Sequence, residues 1–197
     1  GALWVGTTGK GVAVVRGGRV EKVWGEDVLG SGLVRGLAPD GEGGVWVAAS
    51  GGGLTYLKDG LARKYREKDG FPSDQATAIH VDTDGTVWFG TWGAGVGRIR
   101  DGAVETIGTA EGLSNDQVWS LASDEEGSLW VGTWVGGLNR LRDGRFLSYT
   151  TREGLTSDNV RALLQGSDGS VWIGTAGGGL NRLKDGRITA YRVKDGL

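Results

Sequence analysis

Nine tryptophans stand in a chain of 197 residues that holds one histidine, no cysteine and no methionine. An indole ring offers a flat apolar face and one N–H, which suits stacking against a sugar ring or an aromatic ligand. Three of these rings, Trp92, Trp134 and Trp119, occupy positions where the other copies of an internal repeat carry quite different residues. Trp92 and Trp134 correspond to Thr8, Ser50 and Ala176, and Trp119 corresponds to Arg35, Thr77 and Arg161. A framework that accepts Thr, Ser, Ala or Arg there does not demand a large filler. Arg35 and Arg161 could pair with a carboxylate or sulfate. Asn115, Asp116, Gln117, Asp158 and Asn159 precede these positions and could hydrogen-bond a polar ligand. Each feature has a plainer alternative. The rings could fill gaps between packed sheets, the arginines could be solvated, and Asn and Asp could cap turns through their own backbone.

Other chemistries find little support. A zinc site needs Cys or several His, and a Ser-His-Asp triad would hang on His80 alone. The acidic turns at 82–85 and 124–127 lack the spacing of a calcium loop. No catalytic residues, metal or cofactor are therefore expected. The net charge of −2 argues against a nucleic-acid partner or an anionic membrane held by bulk charge. No apolar run approaches the roughly 18 residues that span a bilayer. The expected partner is a small molecule, an oligosaccharide or another protein module.

The elements that must position these residues follow from repetition. Trp4, Trp46, Trp88, Trp130 and Trp172 recur every 42 residues, within Leu-Trp-Val-Gly-Thr-like runs. Each period reads as four short alternating strands, and Asp-Gly pairs at 59–60, 101–102, 143–144 and 185–186 mark tight hairpins. Glycine, 40 of 197 residues, fits many such turns. No segment carries a convincing helical period. Four antiparallel strands in about 42 residues is the size of a β-propeller blade, and the five recurrent tryptophans are natural wedges between blades. The expected fold is all-β, a propeller of about five four-stranded blades forming one domain. The approximate repeats are 1–31, 32–73, 74–115, 116–157 and 158–197. The first copy lacks its innermost strand, so the chain is expected to be part of a larger ring, with self-association possible through open blade edges.

The unit typified by residues 115–155 (Asn-Asp-Gln-Val, then Gly-Ser-Leu-Trp-Val-Gly-Thr, Gly-Gly-Leu-Asn-Arg-Leu, Asp-Gly-Arg-Phe and Glu-Gly-Leu) resembles the two-component regulator propeller repeat. The resemblance covers essentially the whole chain. It implies a sensor propeller, often seven-bladed, in the extracytoplasmic or periplasmic part of bacterial histidine kinases and hybrid regulators. The expected mechanism is ligand binding at the rim or central mouth, which shifts how the propeller packs on a neighbouring module. The alternatives are a structural or protein-docking propeller without a small ligand and, less well supported, a propeller lyase or lactonase.

Overall fold

The computed structural model describes residues 1–197 as nineteen short strands in five antiparallel sheets. The first sheet has three strands, β1 (Leu3–Gly6), β2 (Val12–Arg16) and β3 (Arg19–Trp24). The other four have four strands each. The second is built from β4 (Val34–Pro39), β5 (Val45–Ala49), β6 (Gly53–Lys58) and β7 (Leu61–Tyr65). The third comprises β8 (Ala76–Val81), β9 (Val87–Thr91), β10 (Val96–Arg100) and β11 (Ala103–Ile107). The fourth comprises β12 (Val118–Ser123), β13 (Leu129–Thr133), β14 (Leu138–Arg142) and β15 (Arg145–Tyr149). The fifth comprises β16 (Val160–Gln165), β17 (Val171–Thr175), β18 (Gly179–Lys184) and β19 (Arg187–Tyr191). Strands follow one another in chain order within every sheet. The missing strand of the first sheet is the one expected from the phase of the repeat.

Hairpin chemistry explains the regularity. In all four Asp-Gly pairs both residues adopt positive φ: Asp143 at 50° and Gly144 at 72°, for example. That is the type I′ conformation whose twist matches the flanking strands. The one departure from an all-strand reading is local. A four-residue helix, α1 (Glu26–Leu29), and three single-turn helices follow the last strands of four of the sheets. These turns are too short to show a helical period in sequence.

The sheets fall into two compact units, residues 1–93 with 97–106, and residues 94–96 with 107–197. Within each unit, neighbouring sheets pack face to face, as sheets with apolar residues on both faces must. In the first unit Trp46, with Ala38, Ala48 and Leu54, packs on Phe71, Ala76, Val87, Phe89 and Ile99 of the next sheet. Trp4 lies half-buried against a cluster that joins Val12, Val14, Trp24 and Leu29 to Val45, Val47 and Leu57. In the second unit Trp130, Ala122 and Leu138 meet Leu155, Val160, Val171, Ile173 and Leu183. Trp46, Trp88 and Trp130 are buried, whereas Trp172 is half-buried and lines a shallow apolar hollow with Ala162, Leu164 and Leu180.

Two polar devices hold the loops to the sheets. Asn139 and Asn181 are fully buried. The Asn139 Oδ1 accepts from the Ser114 backbone N–H at 3.2 Å, and its Nδ2 donates to Ser114 Oγ at 2.7 Å. Asn181 repeats both bonds to Thr156, at 3.1 and 2.8 Å. In the second sheet this position is Thr55, and Arg66 takes over. Its guanidinium donates to the carbonyls of Leu29 (2.8 Å), Leu54 (2.6 Å) and Tyr65 (3.1 Å) and to Thr55 Oγ1 (3.1 Å).

Candidate functional site

The connections between first and second strands lie at one end of each four-stranded sheet, and most of their acids are committed within the fold. Asp40 accepts from the backbone N–H groups of Glu42 and Gly44 and from the Tyr56 hydroxyl, with Lys58 Nζ 3.7 Å away. Burial alone would raise the Asp40 pKa, but these partners prevail and hold it below the usual carboxylate value. Asp168 is held well down by the Ser170 hydroxyl, with Lys184 and Arg182 adding to the effect. Asp124 accepts from the Trp130 indole N–H at 2.8 Å, and Glu126 pairs with Arg140 at 2.9 Å. His80 is pushed below its ordinary pKa by burial, against a weaker pull upward from Asp82, so its neutral form is favoured near pH 7.

The other end of each sheet is built differently, and the difference lies in the backbone. Strand β12 pairs with β13 as Val118 with Thr133 and then Ser120 with Gly132, so Trp119 is an extra residue in a β-bulge. The same shift occurs between Val160 and Ala162, between Val34 and Gly36, and between Ala76 and Ala78. The bulge residues are therefore Arg161, Arg35 and Thr77, the sequence equivalents of Trp119. A bulge leaves its extra residue outside the ladder and re-aims its side chain. The position that varies in type is the one that the backbone frees from the regular alternation.

A second regularity brings Trp134 to the same place. In four sheets the residue that follows the second strand donates its N–H toward the start of the first strand. The pairs are Ser50 to Leu33 (3.0 Å), Trp92 to Gln75, Trp134 to Gln117 and Ala176 to Asn159 (2.9 Å each). Trp134 is thereby tied two residues from Trp119, and the two rings lie 6.0 Å apart, tilted by 41°. Strand β12 also packs on β16, which carries Arg161 over both rings. Its guanidinium carbon lies 4.2 Å from the Trp119 centroid and 4.5 Å from that of Trp134. Both indoles are half-buried and Arg161 is exposed. Of the sequence candidates, Trp119, Trp134 and Arg161 thus form one cluster in the second unit. Trp92 and Arg35, both exposed, belong to the first unit.

The polar candidates around the cluster mostly shape loops. Asn115 Oδ1 accepts from Gln117 N–H at 2.8 Å, an Asx turn. Asp116 accepts from Thr109 N–H and Oγ1 (2.8 and 3.0 Å), and Asp158 does the same for Thr151 (2.6 and 3.3 Å). Asn159 contributes its carbonyl to the Ala176 N–H. Its own side-chain Oδ1 is buried and accepts no hydrogen bond. These residues set the loop geometry beneath the ring cluster.

Comparison with known structures places the sheets in a propeller context. The extracellular domain of BT3049 from B. thetaiotaomicron, described as a hybrid two component system, superposes with a TM-score of 0.86 at 27% identity, over 100% of this chain and 27% of that one. The extracellular domain of BT4673 from B. thetaiotaomicron gives a TM-score of 0.79 at 20% identity, over 98% of this chain and 30% of that one. Virginiamycin B lyase from Staphylococcus aureus gives 0.66 at 20% identity, over 81% and 55%. At such identities the last two show the fold alone. The chain spans under a third of the length of those two extracellular domains. No curated protein matches the sequence. Residues 70–93, 112–135 and 154–177 match the family model described as two component regulator propeller, one match at the start of each of the last three periods, and the all-β sheets are propeller blades.

Proposed function

We propose that this chain is a stretch of the extracytoplasmic sensor propeller of a bacterial two component receptor, and that Trp119, Trp134 and Arg161 bind a small molecule or oligosaccharide. The observation that carries the proposal is the cluster of Trp119, Trp134 and Arg161. Two indole rings 6.0 Å apart, half-exposed and set by a bulge and a fixed backbone bond, make a stacking platform for the apolar face of a sugar ring. The likeness to extracellular domains of two component systems supports the placement outside the cytoplasm. Signalling then requires a ligand that prefers one packing of the propeller on its neighbouring module over another. The role is binding rather than catalysis. Most acids of the first-to-second-strand turns are engaged in the fold's own hydrogen bonds and ion pairs, and the one histidine, His80, is half-buried on β8.

A second reading, docking of another protein module, is favoured by the apolar hollow of Ala162, Leu164, Trp172 and Leu180, where Leu164 is 66% exposed.

Titration of the 197-residue chain with neutral and acidic tetrasaccharides, followed by tryptophan fluorescence, tests the proposal. At least one sugar is expected to shift the emission of the parent protein, and Trp119→Ala or Trp134→Ala is expected to weaken that binding by roughly two- to tenfold, given about 0.5–1.5 kcal/mol for one lost aromatic stacking partner. Emission unchanged by every sugar tested, or an unaltered response in both variants, would overturn it.

A further inference from the structure

Four arginines stack on tryptophan rings in this chain, and three of them are already neutralised. Arg98 lies 5.8 Å over Trp88 and pairs with Glu105 at 2.7 Å. Arg140 lies 5.3 Å over Trp130 and pairs with Glu126 at 2.9 Å. Arg182 lies 5.5 Å over Trp172 and pairs with Asp168. In each case the guanidinium carbon lies over the ring while an N–H group meets a carboxylate, and a planar guanidinium can serve both at once. Arg161 makes the closest approach of the four, to two rings at once, and takes part in none of the chain's ion pairs. The nearby carboxylates of Asp116 and Asp158 are turned to Thr109 and Thr151 instead.

We infer that Arg161 is the specificity residue of the platform and selects a sugar bearing an anionic group, a carboxylate or sulfate, over a neutral one. This rests on the proposed sugar-binding platform and deepens it. With its face held by Trp119 and Trp134, the guanidinium presents a fixed fork of N–H donors, matched to a carboxylate or sulfate by two parallel bonds. Stacking fixes the side chain before the ligand arrives, so little rotamer freedom is lost on binding. The chain's own use of Arg98, Arg140 and Arg182 shows that a stacked guanidinium accepts an anion at its edge. At Arg161 that anion comes from the ligand.

The test titrates the 197-residue chain, by calorimetry, with tetragalacturonate, a sulfated tetrasaccharide and a neutral tetrasaccharide of the same linkage. Either acidic sugar is expected to bind at least about tenfold more tightly than the neutral one, the effect of one charge-assisted pair, and to weaken as salt is raised. Whichever acidic arm binds distinguishes carboxylate from sulfate. Arg161→Gln is expected to abolish the preference for acidic over neutral sugar while leaving the melting temperature nearly unchanged, and Arg161→Lys to restore part of it. Equal affinity for neutral and acidic sugars, or an acidic preference that survives in Arg161→Gln, would overturn the inference while leaving the platform intact. Binding of none of the three sugars would overturn the platform and the inference together.

Discussion

Trp130→Ala is expected to lower the stability of the chain by about 3–5 kcal/mol, the usual range for deleting a buried Trp. Trp130 is 4% exposed and packs across the boundary between two sheets, on Val160, Val171 and Ile173. Removing about 150–250 Å² of indole surface from water is worth at most 4–6 kcal/mol at about 25 cal/mol per Å². Its N–H bond to Asp124, the Tyr149 ring 6.0 Å away and the Arg140 guanidinium lose their partner as well. For a chain of this length the melting temperature should fall by about 6–20 °C, at roughly 2–4 °C per kcal/mol. Differential scanning calorimetry reads the shift. Trp172→Ala, at the equivalent but half-buried position, should cost clearly less. A shift near zero for Trp130→Ala would remove the indole as the wedge between sheets.

Arg66→Met should be the next most damaging substitution, at about 2–4 kcal/mol. Arg66 is 7% exposed and satisfies three carbonyl oxygens and one hydroxyl. A methionine fills much of the volume but donates nothing, so buried acceptors lose their partners at about 1–3 kcal/mol each, partly offset by not burying a charge. Burial already depresses the Arg66 pKa, the sign that its charge is held at a cost in solvation. Lysine should not rescue it, since a single ammonium cannot reach acceptors spread around a planar fork. Urea denaturation of the parent, Arg66→Met and Arg66→Lys proteins measures this. Parent-like stability of Arg66→Met would show that water serves those carbonyls equally well.

Much of the architecture was legible in the sequence because it rests on local rules that repeat. The 42-residue recurrence of Trp4 to Trp172 gave the number of sheets. The Asp-Gly pairs gave hairpins whose positive φ values are found in all four cases. The phase of the first copy gave the missing strand. What escaped notice depends on offsets and on neighbours distant in sequence. A bulge is one extra residue relative to a partner strand, and no composition marks it. The variability of Trp119, Arg35, Thr77 and Arg161 was visible, but the backbone reason for it was not. Arg161 lies 42 positions after Trp119, and only the packing of β16 on β12 brings the two together. The buried role of Asn139 and Asn181 was missed because Asn at a strand position carries no local signal. Their recurrence in the Leu-Asn-Arg-Leu run was the available clue. Arg66 was missed for the opposite reason, as its equivalents are Trp24, Gly108, Thr150 and Arg192 and no regular recurrence marks the position.

The central claim is that Trp119 and Trp134, with Arg161 over them, receive the ligand. Indole N–H resonances of the ¹⁵N-labelled chain, recorded during titration with the tightest-binding tetrasaccharide, test it ring by ring. The account predicts that the Trp119 and Trp134 signals move together and saturate, while those of the buried Trp46, Trp88 and Trp130 stay in place. Saturating shifts confined to other indoles, with Trp119 and Trp134 unmoved, would contradict it.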